Sequence, residues 1–348
     1  MTTPWGYPDF DAHEALHFVT DEASGLRAII AMHSTHLGPA GGGSRFWHYA
    51  DDSDALTDAL RLSRGMSYKN AMAGLPLGGG KAVILASADR TKTPDMLAAF
   101  GRAVDGLGGR YVTAEDVGMS VADMIEVARQ TKYVAGLPVD SGVGGDPGPH
   151  TSLGVFLGIK AAVKHALGKD SLDGLHIALQ GAGSVAGGVA RHACAEGARL
   201  SVADVDSARA QALATLCNAT VVDPGEIMAL DADVFSPNAL GAILDEESIA
   251  ALKAPIVAGG ANNQLKTRED GQRLMDRGIL YAPDYVINAG GIINVSTEYL
   301  RDGDVDLVRT RIDAIPGRLE AIWNDSASSG RDPAAVADAM AQKLIGRG

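Results

Sequence analysis

Residues 175–206 read LHIALQGAGSVAGGVARHACAEGARLSVADVD. An apolar run of strand length meets a glycine turn, a helical stretch of small residues, a second apolar run and an acid. That order predicts a βαβ unit, which narrows the fold more than any other stretch of the chain. Gly181, Gly183 and Ala186 carry the spacing G-x-G-x-x-G/A. Gly181 permits the tight turn, Gly183 lets the backbone approach a pyrophosphate, and Ala186 allows close packing of helix on strand. The helix N-terminus adds unpaired N–H donors and a positive dipole end. Asp204 lies 23 residues after Gly181. A carboxylate there accepts from a ribose 2′-OH and repels a 2′-phosphate, so NAD is expected over NADP. The bland alternative is a glycine turn in an α/β domain that binds nothing. Strand, turn, helix and acid together weigh against it.

A βαβ unit of this kind fills only part of 348 residues, so two domains are expected. The clearest boundary signal is LPVDSGVGGDPGPHTS, residues 137–152, read as a linker or hinge. Thr151 or Ser152 is expected to cap the helix that follows. Before the linker the chain mixes strand-like and helical patterns. LRAIIAMHS reads as a strand. SDALTDALRLSRGMSYKNAM reads as a helix capped by Ser53 or Asp54, and GLPLGGG breaks it. KAVIL is then a buried strand starting at Lys81, and RYVTAEDVG a strand ending in a polar turn. After the fingerprint, ADVFSPNA, APIVAGGANNQ and ILYAPDYVINAGG each read as a short strand ending in a polar or glycine-rich loop. Ligands bind beyond the carboxyl ends of such parallel strands. The tail from about 303 is expected to be helical and mostly surface-like.

Several function classes are disfavoured. A net charge of -13 lacks the basic footprint that nucleic acid requires. No apolar run is long enough for a membrane span, and the first residues lack a signal-peptide pattern, so a cytoplasmic protein is expected. Cys194 and Cys217 are the only cysteines, too few for a disulfide framework or a thiolate zinc site. His33 and His36 are poorly spaced for zinc, so no metal is expected. Trp5, Trp47 and Trp323 are expected to be packing residues.

The segment GMSYKNAMAGLPLGGGKAVI, residues 65–84, sets Lys69 and Lys81 among apolar residues in this acidic chain. Lysine is rarely buried without a partner. Leu62, Met66 and Lys69 share one helical face. Either the lysines only lay their stems on apolar surface, or they hold a ligand. Beside a nucleotide site the second reading implies an anionic substrate and a general base. One lysine stays charged and grips a carboxylate; the other, lowered by desolvation and a neighbouring cation, takes a proton. Asp116 is a candidate proton shuttle, although a turn residue is the plain alternative.

The ordered set GGGSRFWHY, DALRLSRGMSYKNAMAGLPLGGGKAVI, GGRYVTAEDVG, GDPGPHTSLGV, LQGAGSVA, SVADVD, ANNQL and YAPDYVINAGGIINV, over about residues 10–300, resembles the leucine, phenylalanine and valine dehydrogenases of the glutamate-dehydrogenase-like superfamily. The resemblance implies an α/β fold: an N-terminal substrate and oligomerisation domain, 1–141, rejoined by the C-terminal helix, about 325–348, and a Rossmann NAD-binding domain, 142–324. It places the active site in the cleft between them. It implies reversible oxidative deamination of an L-amino acid to a 2-oxo acid and ammonia with NAD, by a homo-oligomer. Lys69 matches the lysine that binds the α-carboxylate, Lys81 the general base and Asp116 the proton-transfer aspartate. Asn263 matches a substrate contact; Thr151 and Asn288 match positions near the nicotinamide. Ser184, Val185 and Ala239 fall with the fingerprint residues on the cofactor side. Ser184 and Asn238 depart from residues common in the family.

For the side chain, Gly41 and Val295 match the positions that hold the γ-carboxylate in glutamate-specific relatives. Neither can pair with a charge, so glutamate is not expected. Gly41 and its neighbour Gly42, with Met66, Ala114, Ile292 and Val295, would line an apolar pocket. Gly41 stands where the leucine enzymes usually carry leucine, which favours a long or aromatic substrate. Ala114 and Val295 match the branched-chain enzymes and tip the expectation to leucine and its relatives, with phenylalanine the alternative. Rival readings are an alanine-dehydrogenase-like oxidoreductase and a silent NAD or amino-acid sensor. The sensor would be expected to have lost Lys81 or Asp116.

Overall fold

Strand parity organises the N-terminal part of the chain. In this computed structural model, which describes residues 3–87, 91–137 and 144–347, β1 (Ala15–Asp21) and β2 (Leu26–Ser34) form an antiparallel pair with Ala15 opposite Met32. Every residue of β2 except Arg27 is buried. Leu26, Ala28, Ile30 and Met32 load one core and Ile29 and Ala31 a second, as in a sheet covered on both faces. Two short strands follow, β3 (Ala40–Gly41) and β4 (Ser44–Trp47), then α1 (Asp52–Met72) and β5 (Gly78–Leu85). α2 (Pro94–Asp105), β6 (Tyr111–Val112) and α3 (Val121–Ala128) complete the set. The sheet runs β1-β2-β5-β3-β6, with β4 also on β5. α1 covers Ile29, Ala31, Val83 and Leu85 with Ala55, Leu56, Ala59 and Leu60. Met96, Phe100, Met124 and Val127, from α2 and α3, cover the other face.

Two local expectations are corrected here. The cap of α1 is Asp51, not Ser53 or Asp54. Its extended backbone lets the carboxylate accept from Ser53 N at 2.7 Å, which leaves Asp52 and Asp54 in the first turn, where the helix dipole favours acids. β5 begins at Gly78 rather than at Lys81, so the glycine triplet belongs to the strand. A Cβ on Gly79 would stand 2.0 Å from Ser67 N, and one on Gly80 would stand 2.7 Å from the Tyr111 ring. These glycines let α1 and Tyr111 lie directly on the strand.

The second part is a parallel sheet. α4 (Gly148–Leu167) leads to β7 (His176–Gln180), α5 (Ser184–Ala195), β8 (Arg199–Ala203), α6 (Ser207–Cys217) and β9 (Thr220–Val221). β10 (Val234–Pro237), α7 (Glu246–Ala251), β11 (Ile256–Val257), α8 (Glu269–Asp276), β12 (Leu280–Tyr281) and α9 (Asp284–Ile287) follow. The order is β12-β11-β10-β7-β8-β9, and every pairing is parallel. Read from β9, this is the doubly wound arrangement 3-2-1-4-5-6, whose direction of winding reverses between β7 and β10. α4 starts earlier than expected, at Gly148 after Pro147, so Thr151 and Ser152 are not caps. Their hydroxyls donate back to Pro147 O and Pro149 O within the first turn.

The remaining helices are α10 (Gly290–Leu300), α11 (Val305–Asp313), α12 (Ile315–Ser329) and α13 (Pro333–Leu344). The tail is helical as expected but not surface-like. Ile312, Ile315, Leu319, Ile322 and Trp323 are buried, and Trp323 Nε1 donates to Tyr281 O at 2.9 Å. Trp5 and Trp47 are not packing residues: they are 76% and 51% exposed. Contacts group the chain into two units, Met1–Gly145 with Asn294–Val308 and Ala341–Gly348, and Asp146–Ile293 with Arg309–Met340. The expected boundary at 141/142 lies outside the described residues. Within the first unit Gln342 donates to the Tyr68 hydroxyl, and Arg347 donates to His33 O and Asp11 O. No described helix is long and apolar enough to cross a membrane.

Candidate active site

Parity on β5 decides where Lys81 points. Val83 and Leu85 face α1, so Lys81 faces α1 too, and it is 4% exposed. β4 runs parallel beside it with Arg45 opposite Val83, which puts Arg45 on the same face. Asp116 arrives on the loop between β6 and α3. Lys81 Nζ stands 2.9 Å from Asp116 Oδ2, and Arg45 Nε stands 2.9 Å from the same oxygen. Burial pushes the Lys81 ammonium below its ordinary pKa, although Asp116 resists that shift; Arg45 adds to it. For Asp116, burial pushes upward, but the Lys81 and Arg45 cations hold the carboxyl below its usual range. An acid that stays ionised beside a lysine inclined to lose its proton suits proton transfer near neutral to alkaline pH.

The network extends beyond the residues that sequence reasoning singled out. Arg45 Nη1 donates to Asp58 Oδ2 at 2.8 Å, and the Tyr49 hydroxyl donates to the same oxygen at 2.5 Å. Arg45 stood in the motif GGGSRFWHY without an assigned role. The available signal was a cation two residues after a glycine run, with an acid 13 residues on. Nothing in the spacing says that the two meet.

The other residues expected on the substrate side fall in the same unit, except Ile292 and Asn263. Lys69 is half-buried in the last turn of α1, where the helix dipole favours a cation. A Cβ on Gly42 would stand 3.1 Å from Met66 Cγ, so Met66 lies against that glycine. Tyr111 donates to Gly42 O at 2.7 Å and pins the backbone there. Val295 packs with Val112, Ala135 and Ala114 in a small apolar cluster. A Cβ on Gly41 would meet Leu77 Cδ1 at 3.3 Å and Asn70 Nδ2 at 3.6 Å. The direction that a side chain at 41 would take is already occupied by Leu77. Ile292 is half-buried on the second unit's part of α10, and Asn263 is exposed with a left-handed φ of 52°.

The nucleotide residues gather at the carboxyl ends of β7, β8 and β10. Gly181, at φ +97°, brings its Cα against the far side of the switch point: a Cβ there would stand 3.1 Å from Asn238 C and 3.2 Å from Ala239 Cβ. Asp204 Oδ2 accepts from Ala182 N at 2.7 Å and Oδ1 from Asp206 N at 2.8 Å, so the acid at the end of β8 is fixed beside the glycine turn. Gly183 and Ser184 are exposed at the start of α5, Val185 is half-buried and Ala186 is buried. Asn238 Oδ1 accepts from Gly260 N at 2.9 Å, so this departure from the family has a structural use. Asn288 Nδ2 donates to Gly260 O and Asn262 Oδ1, while Asn288 Oδ1 is buried without a partner. Thr151 Oγ1 lies where a Cβ on Gly291 would fall. A small-residue cradle, a fixed acid and an unmet buried acceptor fit a dinucleotide with a carboxamide on its ring.

A doubly wound sheet with this fingerprint, in one chain with a buried lysine–aspartate pair, defines a nucleotide-dependent oxidoreductase. Residues 13–133 match the model "Glu/Leu/Phe/Val dehydrogenase, dimerisation domain", and residues 202–329 match "Glutamate/Leucine/Phenylalanine/Valine dehydrogenase". Leucine dehydrogenase of Bacillus subtilis (strain 168) is 47% identical over 335 residues, covering 96% of this chain and 92% of that protein. L-tryptophan dehydrogenase of Nostoc punctiforme is 49% identical over 289 residues, covering 83% and 81%. The crystal structure of the Nostoc enzyme superposes with a TM-score of 0.85 at 44% identity, over 96% of each chain. The chain belongs to the glutamate/leucine/phenylalanine/valine dehydrogenase family of NAD(P)-dependent oxidoreductases, which act on the CH–NH2 group of amino acids.

Proposed function

We propose that the protein catalyses NAD-dependent, reversible oxidative deamination of an apolar L-amino acid, with leucine and its branched relatives favoured, to the 2-oxo acid and ammonia. The observation that carries the choice of substrate is the wall around Val295. Ala114, Val112 and Ala135 surround it, and Leu77 closes the space that Gly41 leaves. No charge stands at Gly41 or Val295 to hold a γ-carboxylate. Asp204 supports NAD over NADP, since a 2′-phosphate would meet a fixed carboxylate. The match to a dimerisation domain supports a homo-oligomer.

When bound, NAD would supply the acceptor for a hydride from the substrate Cα, which leaves an iminium carbon once the substrate ammonium has given up a proton to solvent. The chain's own residues do the rest. Lys69 grips the α-carboxylate and sets the Cα in place. Lys81, in its neutral form, takes a proton from the water that attacks the iminium carbon. Asp116 relays that proton from Lys81 to the nitrogen of the resulting carbinolamine, and ammonia leaves as Lys81 takes the hydroxyl proton and the carbonyl forms. Asn263 would contact the substrate, and Thr151 and Asn288 would hold the nicotinamide.

Steady-state rates with L-leucine, L-phenylalanine and L-tryptophan test the side-chain reading. kcat/KM for leucine is expected to exceed that for either aromatic by roughly tenfold or more, the scale on which apolar pockets discriminate. Ala114→Gly should narrow that ratio by opening the wall. An aromatic substrate that outperforms leucine in the unmodified protein would mean that Gly41, not Ala114 and Val295, sets the pocket.

A further inference from the structure

We infer that Arg45 is a positioning residue for the reaction: it keeps Asp116 ionised and aimed at Lys81 through the stage at which Lys81 carries no proton. The inference rests on the acid/base roles proposed above for Lys81 and Asp116.

The geometry is a fork fixed at both ends. Arg45 Nε is 2.9 Å from Asp116 Oδ2, and Nη1 is 2.8 Å from Asp58 Oδ2. Asp58 is held in turn by the Tyr49 hydroxyl on the same oxygen. These anchors come from separate elements: Arg45 from β4, Asp58 from α1, Asp116 from the loop after β6. Side-chain exposure is 22% for Arg45, 25% for Asp58 and 23% for Asp116, so the fork is no loose surface pair.

A base must lose its charge to act. If Lys81 were the only cation touching Asp116, each deprotonation would strand a carboxylate in a poorly solvated site. The carboxylate would then compete for the proton or turn away. A guanidinium does not deprotonate at working pH, so Arg45 supplies a constant partner on the same oxygen that Lys81 uses. Its positive charge also disfavours the Lys81 ammonium. Asp116, Arg45 and Asp58 are charged groups that act on Lys81. Removing Arg45 therefore takes away a cation that disfavours the Lys81 ammonium, whereas removing the charge of Asp58 takes away an acid that favours it. The two changes must move the titration of Lys81 in opposite directions.

The test is the pH dependence of kcat for NADH formation from saturating L-leucine, with KM measured separately. For Arg45→Gln, kcat at pH 8 should fall tenfold or more. The midpoint of the alkaline rise should move up by about one pH unit, the scale of a single neighbouring charge. KM for leucine should stay within about twofold, because the carboxylate is gripped elsewhere. Arg45→Lys should restore part of the profile, since it returns the charge without the fork. Asp58→Asn should move the midpoint down. An unshifted profile in Arg45→Gln, or shifts of the same sign in Arg45→Gln and Asp58→Asn, overturns the inference. If Arg45→Gln does not fold, Arg45→Lys and Asp58→Asn give the same readout. Lys81→Ala separates the two levels. If it retains turnover, the acid/base reading fails and the inference goes with it. If it is inactive while Arg45→Gln behaves as the unmodified protein, only the role of Arg45 fails.

Discussion

Lys81→Ala is expected to lose about a thousandfold in kcat while the protein stays folded and still binds NAD. Positioned general bases contribute about 10²–10⁴ in rate, and a thousandfold corresponds to about 4 kcal/mol of transition-state stabilisation. Arg45 shares the same oxygen of Asp116, and a guanidinium cannot take over as base. Folding should survive, because Asp116 keeps Arg45 as its partner and the removed group was a cation 4% exposed in an apolar strand. Loss of a buried charge with its carboxylate still paired leaves no stranded ion. Near-normal turnover in folded Lys81→Ala would remove the base from the mechanism. Loss of NAD binding along with activity would point to a misfolded variant instead.

Gly79→Ala is expected to be the most damaging single-methyl change in the N-terminal unit. The added Cβ would stand 2.0 Å from Ser67 N, 2.2 Å from its Oγ and 2.4 Å from its Cα. Two of these are backbone atoms of α1, so no rotamer relieves the clash and the helix must lift off β5. Overpacking of this kind costs about 3 kcal/mol or more, which corresponds to a drop in Tm of roughly 4 °C or more for a chain of 348 residues that unfolds as one. Function should suffer with stability, because α1 carries Met66, Lys69 and Asp58. Gly65→Ala, on the same helix, is the control. Nothing lies within 4 Å of its added Cβ, and a helical Gly→Ala exchange there should be stabilising by about 0.5–1 kcal/mol. Thermal unfolding of the two variants side by side checks this. Equal behaviour would mean that α1 is not seated on the glycine strand.

The contrast between these glycines shows what the sequence made legible. The βαβ unit could be read because its chemistry is local: Gly181, Gly183, Ala186 and Asp204 sit within one strand–helix–strand stretch. The short strands after it were bounded by glycine and proline and fell where expected. The roles of Lys81 and Asp116 were expectations from family resemblance, their contact was not, and β-strand parity explains the direction of Lys81. What could not be read depends on contacts between distant residues. Arg45 and Asp116 are 71 positions apart, and no period or composition signal links them. Glycines at 78–80 look like a turn because turns are the commonest use of a glycine run. Only the approach of Ser67 and Tyr111 shows that they make room inside a strand. The tail's burial was missed for a similar reason: Ile312, Ile315, Leu319 and Trp323 follow a helical period, but their spacing does not say whether anything packs against it.

The most direct test of the account is the stoichiometry of the proposed reaction: L-leucine and NAD with the purified protein at alkaline pH, with NADH, ammonia and the 2-oxo acid measured in the same samples. The account predicts equal amounts of all three products, a much lower rate with NADP, and no rate with L-glutamate. Folded protein that binds NAD yet turns over neither leucine nor any apolar amino acid would contradict it. So would faster turnover of glutamate than of leucine.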